Sequence, residues 1–378
     1  MRAVALIDGE HYAPVVRDAL AELPYEWIGA ILVGGSEKLR PGADYGVPLV
    51  DDFGAAELVV DLSDEPVLGP AARFRWASKA LAAGLSYVGA DFRFDPPVFE
   101  PFALPSIAVI GTGKRVGKTA VTAHLAHLLA RDRDVVVVAM GRGGPAEPEV
   151  IERPPTVEEL VALSRGGRHA ASDHLEVAAL CGVPTIGCRR AGGGLAGAVF
   201  ASNVAAGARL AAARSPDVVV FDGSGAAVPP VEVDRRVLVI GPGTDADLYL
   251  NTYRRLISSV VVAVGCDAPD AIRADLRLRA TAPLEGSVAV FTAGSTAVDH
   301  LEADVVHVSP RLADRDALRR ELGEVEADTY LVELKAAAID VVAEYALTHC
   351  KRVVLAANDV VADGLDEALL ALAPERVA

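Results

Sequence analysis

The stretch Gly111-Thr112-Gly113-Lys114-Arg115-Val116-Gly117-Lys118-Thr119-Ala120 carries the clearest chemistry in the chain. An apolar run, Ile107 to Ile110, enters it, and a helix-periodic segment with Leu125, Leu128 and Leu129 leaves it. A glycine turn between a strand and a helix lets backbone N–H groups face a polyphosphate, and the helix dipole adds positive potential. Lys118 is then placed to reach the β- and γ-phosphates, and the Thr119 hydroxyl to ligate Mg²⁺. The chemistry implied is use of ATP or GTP. Strict phosphate-loop spacing fails by one residue, because Thr112 stands where the first glycine belongs and Gly111 lies one position earlier.

A second group of residues fits around that loop. Asp217 to Phe221 is an apolar run ending in Asp222-Gly223-Ser224-Gly225. A carboxylate at the tip of a buried strand beside the phosphate-loop strand is where such ATPases place the acid that organises Mg²⁺. Thr119 and Asp222 are therefore the expected metal residues. Arg142 sits among Gly141, Gly143 and Gly144, and Arg189 with Arg190 precedes Gly192-Gly193-Gly194. Planar cations on backbone that can approach closely suit a phosphate, so the second stretch reads as an anion cradle at a helix entrance. Among the histidines, His11 and His174 fall in or near loops and are the better active-site candidates. His124 and His127 have metal-ligand spacing but no acidic or cysteine partner nearby in sequence, which favours packing or exposure.

The elements needed to hold these residues follow from composition. At 378 residues, with 52% hydrophobic and only 5% aromatic content, the chain suits a packed α/β protein of buried parallel strands. Its length favours two domains. A net charge of −16 argues against a general nucleic-acid or anionic-membrane surface, so the local arginine and lysine clusters stand out. Cys181, Cys188, Cys266 and Cys350 form no CxxC or metal pattern and fit a reduced compartment. The first residues lack a secretory signal pattern, and the Gly/Ala-rich run Ala191 to Ala208 is too weakly hydrophobic to span a membrane. A soluble, cytoplasmic protein is expected.

Strands are predicted at 2–7, 27–33, 58–62 and 86–88, with helices to Leu23 and over 71–83. Asp8 to His11 and Gly34 to Arg40, including Lys38 and Arg40, would lie at strand ends, where ligands sit in open parallel sheets. Four prolines within Asp95 to Pro105 read as an interdomain linker. The division expected is residues 1–100, a smaller Rossmann-like α/β domain, and residues 101–378, a P-loop NTPase-like parallel-sheet domain. In the second, strands are predicted at 134–139, 237–240, 260–264, 287–292, 305–308, 329–332 and 352–355. Helices are predicted from Thr156, whose capping box is explicit, from Ser172, and over 245–257, 314–322 and 334–347.

The loop looks like the variant found in the dethiobiotin synthetase and cobyric acid synthase group. More specifically, the segments ALIDGEHY, GGSEKLR, GTGKRVGKTAVTAHLA, GCRRAGGGLAG and ELKAAAIDVVAE resemble the cyclic 2,3-diphosphoglycerate synthetase family along nearly the whole chain. That resemblance implies closure of an intramolecular phosphoanhydride in 2,3-diphosphoglycerate, with ATP going to ADP and phosphate. It implies ATP and Mg²⁺ as cofactors, with K⁺ as a candidate activator, and a homodimer. Lys118, Asp222, Arg189 and Arg190 would act in catalysis, and Arg142, Arg189, Arg190, Gly192, Gly193 and His11 would bind substrate. Rival readings are a 2-phosphoglycerate kinase, another ATP-dependent ligase of the same group, and a partition-type ATPase switch. The switch proteins carry a signature lysine where this chain has Gly113.

Overall fold

The computed structural model describes residues 1–35, 42–245 and 247–373. Lys38 and Arg40, expected at a strand end, lie outside the described residues. Two compact units are present. The first comprises Met1–Val98, Leu195–Gly197 and Thr244–Ser258, and the second Phe99–Gly194, Ala198–Gly243 and Ser259–Ala378. Two later segments thus belong to the first unit that a cut by sequence position places in the second.

In the first unit, strands β1 (Arg2–Ile7), β2 (Glu26–Leu32), β3 (Leu58–Asp61), β4 (Ser86–Val88) and β5 (Arg93–Phe94) form one sheet in the order β2-β1-β3-β4-β5. All pairs are parallel except β4 with β5. Helices α1 (Ala13–Glu22) and α2 (Pro70–Ala82) each carry proline in the first turn, where its missing N–H has no helical partner to lose. Residues 3–7 of β1 are fully buried, which is why the run is continuously apolar rather than alternating. Ala196, Leu250 and Tyr253 join Leu6, Val59 and Tyr87 in one core cluster.

The second unit is built on strands β6 (Ser106–Gly111), β7 (Val135–Gly141), β8 (Glu149–Ile151), β9 (Thr185–Ala191), β10 (Ala201–Ser202), β11 (Val218–Asp222), β12 (Arg235–Ile240) and β13 (Val260–Val264). It continues through β14 (Ile272–Ala280), β15 (Ser287–Phe291), β16 (Asp304–Ser309), β17 (Thr329–Glu333) and β18 (Arg352–Val361). They make a single 13-stranded sheet, β10-β9-β7-β11-β6-β12-β13-β14-β18-β17-β15-β16, with β8 paired to β9. From β9 to β14 every pair is parallel, and β14 meets β18 antiparallel before parallel pairing resumes. The phosphate-loop strand β6 lies between β11 and β12. Helices α3 (Lys118–Leu129), α4 (Val157–Arg165), α5 (Asp173–Cys181) and α6 (Val204–Ala213) lie against the sheet, α3 on β6 itself. The Thr156 capping box is formed. Among the described residues, no helix is long and apolar enough to cross a membrane.

Several expectations give way here. β9 runs through Ala191, so Arg189 and Arg190 lie on a strand, and α6 begins only at Val204, well past the glycine run. β14 was not among the predicted strands, although IRADLRLRA alternates apolar and charged residues with the period of a strand that has one exposed face. β18 runs on past the predicted 352–355 to Val361 and takes in Asn358 and Asp359. The helix predicted over 245–257 is confined to Asn251–Leu256, and that over 334–347 begins as a π-helix at Ala338–Ala343 and continues as α-helix over Glu344–Thr348.

The packing of α6 on the sheet turns on Gly207. A Cβ there would stand 2.3 Å from Cys188 Sγ and 3.4 Å from a Val138 methyl. Overpacking at about 1–3 kcal/mol exceeds the roughly 1 kcal/mol that alanine gains over glycine in a helix. Gly207→Ala is therefore expected to lower the urea midpoint without changing the slope; an unchanged or raised midpoint would show that α6 shifts away without cost.

Candidate active site

Strand β6 ends at Gly111 and α3 begins at Lys118, so the loop between them hangs over the helix N-terminus. Gly117, immediately before α3, has φ of 89°, and a Cβ there would stand 2.9 Å from Val264 Cγ1. Glycine meets both constraints at once. Val116 anchors the loop from below: it is 2% exposed and lies so close to Gly241 that a methyl there would be 2.5 Å from the Val116 Cα. Residues Gly113 through Ala120 line a cavity of about 400 Å³, within the usual size of a ligand site. Gly111 closes the strand, and the Thr112 N–H donates to the Val239 carbonyl at 3.1 Å.

Asp222 comes to this cavity from the end of β11. Its carboxylate is 1% exposed, and Oδ1 accepts from Lys118 Nζ at 2.7 Å and Thr122 Oγ1 at 2.8 Å. Lys118 and Thr122 are one helical turn apart on α3, which puts both donors on one face. Burial holds the Asp222 carboxyl above the ordinary carboxylate range, although the Lys118 ammonium and both hydrogen bonds pull it down. Removing one member of a buried pair of this kind typically costs about 3–5 kcal/mol.

Two guanidiniums and the stem of Lys114 meet just beyond Asp222. A methyl on Gly225 would lie 3.4 Å from Arg142 Nη2, and 3.8 Å from both Arg190 Nη2 and Lys114 Cγ. Arg190 is fixed by its own donors, Nη1 to the Gly192 carbonyl at 2.6 Å and Nη2 to the Ser224 carbonyl at 2.8 Å. Burial, and then the charge of Arg142, push its guanidinium below the usual value. Gly192 and Gly193 line a shallow hollow with Arg142 and Arg190. Successive residues of a strand face opposite ways, and Arg189 is exposed, its backbone N–H bonded to Asn203 Oδ1 at 2.7 Å. The structure thus brings Arg142, Arg190 and Lys114 together and leaves Arg189 outside the lining of either hollow.

His11 belongs to the first unit, where its Nδ1 lies 2.8 Å from Asp8 Oδ1. Asp8 is buried; burial alone would raise its carboxyl, but hydrogen bonds from His11 and from the Asp64 and His11 backbones bring it below the usual range. His124 is bonded to Asp366 at 2.7 Å. His174, an active-site candidate by sequence, is 3% exposed, sits 3.1 Å from Ser172 Oγ, and packs against Gly187, where a Cβ would be 2.5 Å from its ring. It does not line the cavity.

Four further residues of the cavity region escaped the sequence reading. Asp173 and Glu176 stand one turn apart on α5, and Ser224 Oγ is 3.4 Å from Asp173 Oδ2. Lys335, just past β17, lies 3.6 Å from Glu176 and 3.8 Å from Glu333. Glu333 in turn accepts from the Ala293 N–H and from Asn358 Nδ2, both at 2.8 Å. The polar interruption of the otherwise apolar segment Leu175 to Cys181 was the available signal for Glu176.

The donor set suits Mg²⁺. Thr119 and Asp222 offer hard oxygen ligands in one cavity, and both hydrogen bonds to Asp222 go to Oδ1, so Oδ2 remains as a ligand oxygen. Among the described residues, no three acidic, histidine or cysteine side chains are arranged to hold a metal by themselves.

Comparison with known proteins agrees across the chain. Family models described as the cyclic 2,3-diphosphoglycerate synthetase N-terminal, P-loop and C-terminal domains match residues 2–53 with 52–95, 106–278, and 281–359 respectively. A protein of Rubrobacter xylanophilus named cyclic 2,3-diphosphoglycerate synthetase is 48% identical, over 99% of this chain and 97% of that one. Proteins of the same name from Pyrococcus horikoshii and Methanothermus fervidus are 40% and 36% identical, over 93% and 92% of this chain and 91% and 90% of theirs.

The environment of His174 has a consequence for pH. Burial pushes its imidazole from 6.5 down to about 4. Below pH 6.5 the unfolded chain takes up a proton that the folded protein refuses until about pH 4, so the stability this residue contributes is full above 6.5 and drains away as pH falls. His174→Gln is expected to remove up to about 3 kcal/mol of the acid-side loss, measured by urea unfolding at a series of pH values. Parallel curves for variant and parent would contradict a buried neutral imidazole.

Proposed function

The chain belongs to the cyclic 2,3-diphosphoglycerate synthetase family, and on that premise we propose that it converts 2,3-diphosphoglycerate to its cyclic form, with ATP going to ADP and phosphate. The observation that carries this reading is the placement of Lys114, Arg142 and Arg190 around Gly225, next to the Lys118–Asp222 pair of the nucleotide loop. One polyphosphate site and one separate cation cluster meet at a buried carboxylate.

The chemistry asks for this arrangement. Two phosphates and a carboxylate on one small molecule repel one another, and bringing the phosphates into bonding distance needs fixed positive charge in a site poor in water. In the proposed sequence, an oxygen of one substrate phosphate attacks the γ-phosphorus of ATP, and ADP leaves with the bonding electron pair. An oxygen of the neighbouring phosphate then attacks the phosphorus so activated, and inorganic phosphate leaves as the ring closes. Lys118 and the loop amides hold the transferred phosphoryl group, while Arg142, Arg190 and Lys114 hold the phosphates of the acidic substrate. Mg²⁺ held by Thr119 and Asp222 would neutralise charge between ADP and the transferred group. Arg189, exposed on β9, is not needed in this sequence.

The proposal extends to K⁺ as an activating cation, a homodimeric assembly and a cytoplasmic location. The first two rest on the family resemblance; the third is also supported by the acidic composition and by four cysteines without a pairing pattern.

Initial rates of ADP release with 2,3-diphosphoglycerate and with 2-phosphoglycerate test the reading. Lys118→Ala is expected to lower kcat by at least about 10²-fold. Arg190→Ala is expected to raise KM for the acidic substrate by roughly tenfold or more while leaving KM for ATP nearly unchanged. Turnover with 2-phosphoglycerate alone would replace ring closure with a kinase reaction, and normal kinetics for Arg190→Ala would remove that residue from the substrate site.

A further inference from the structure

Lys335 reaches the phosphate-loop cavity from the far half of the sheet. It follows β17, and its side chain remains 38% exposed although it lines the same cavity as Lys118, Asp173 and Asp222. Its separations from Glu176 and Glu333, 3.6 and 3.8 Å, exceed hydrogen-bond length. That is a different bond from the 2.7 Å contact that occupies Lys118. Glu333 is committed to the Ala293 N–H and to Asn358, so its position is fixed while its charge still faces Lys335 at 3.8 Å.

Glu176 is 7% exposed. Burial pushes its carboxyl up to about 7, against the pull of Lys335, and the charges of Asp173, Glu333 and Asp222 add to the rise. A buried carboxylate among three others needs a cation to face it, and Lys335 supplies one. The geometry leaves the ammonium within reach of Glu176 but with donors to spare, at the cavity where a small substrate bearing three anionic groups would be handled.

We propose that Lys335 is a substrate-binding cation, taking an anionic oxygen of the acidic substrate, and that Glu176 is the positioning residue that aims it. This rests on the synthetase reading of the cavity. It assigns to the C-terminal part of the chain a direct contact with substrate and explains why the ELK segment follows a strand that ends at this cavity. Lys114, Arg142 and Arg190 gather at Gly225, whereas Lys335 faces Glu176 and Glu333, so the substrate is held by two separate groups of cations.

Calorimetric titration of the full-length protein with 2,3-diphosphoglycerate and, separately, with ADP provides the test. Lys335→Met is expected to weaken 2,3-diphosphoglycerate by about tenfold or more and ADP by less than about twofold, with Lys335→Arg recovering part of the loss. Glu176→Gln is expected to weaken 2,3-diphosphoglycerate by a smaller factor, because the lysine loses its guide but keeps its charge, and to leave ADP within about twofold; a purely structural role would weaken ADP as well in both variants. Unchanged binding of the acidic substrate to Lys335→Met, or equal loss for ADP, would overturn the assignment. Binding of 2,3-diphosphoglycerate without cyclic product would refute the synthetase reaction while the ratio for Lys335→Met still judged the lysine. Failure of the parent protein to bind 2,3-diphosphoglycerate would overturn both.

Discussion

The carboxylate of Asp222 is buried at the tip of β11 with Lys118 held against it at 2.7 Å, and the rest of the site depends on that pair. A charge taken out of water at this depth is tolerable only with a partner and directed hydrogen bonds, and Lys118 and Thr122 supply both from one face of α3. The requirement fixes the neighbouring elements. β11 must pair with β6, as it does from Val219 with Ser106 to Asp222 with Val109, and α3 must begin where the glycine turn delivers Lys118. The loop that binds phosphates is therefore set by the same contact that sets the acid beside it.

Around this pair the protein places an unusual density of charge for a chain of net −16. Lys114, Arg142 and Arg190 gather at Gly225, while Asp173, Glu176 and Glu333 lie near Asp222 on the other elements. Asp222 and Glu176 are buried, so their interactions with neighbouring charges are strong, whereas Lys114 and Arg142 are exposed and open to an incoming anion. Burial, with the neighbouring charges of Asp173, Glu333 and Asp222 adding to it, pushes the Glu176 carboxyl up to about 7, and Arg190 is held by two backbone carbonyls.

Much of this was legible in the sequence, for local reasons. The phosphate loop declares itself through a buried strand, three glycines and a helix start, all within one continuous segment, and Asp222 through an apolar run that ends in an acid. Arg190 was legible by type but not by direction: only the extension of β9 to Ala191 separates it from Arg189, which faces the other way. The α6 start was misplaced because glycines at a strand end resemble those at a helix entrance. β14 was missed although it alternates at strand period, because its four charged residues leave no continuous apolar run of the kind that marks the other strands. Glu176 and Lys335 could not be paired from sequence, since their meeting depends on the antiparallel junction of β14 with β18, which joins the far half of the sheet to the phosphate-loop half.

The central claim is that this site closes a phosphoanhydride between two phosphates of one molecule. Phosphorus NMR of the purified protein with Mg-ATP and 2,3-diphosphoglycerate observes that bond directly. The account predicts new, mutually coupled resonances in the pyrophosphate region that grow in step with ADP and inorganic phosphate. Release of ADP and phosphate with the 2,3-diphosphoglycerate signals unchanged would contradict it.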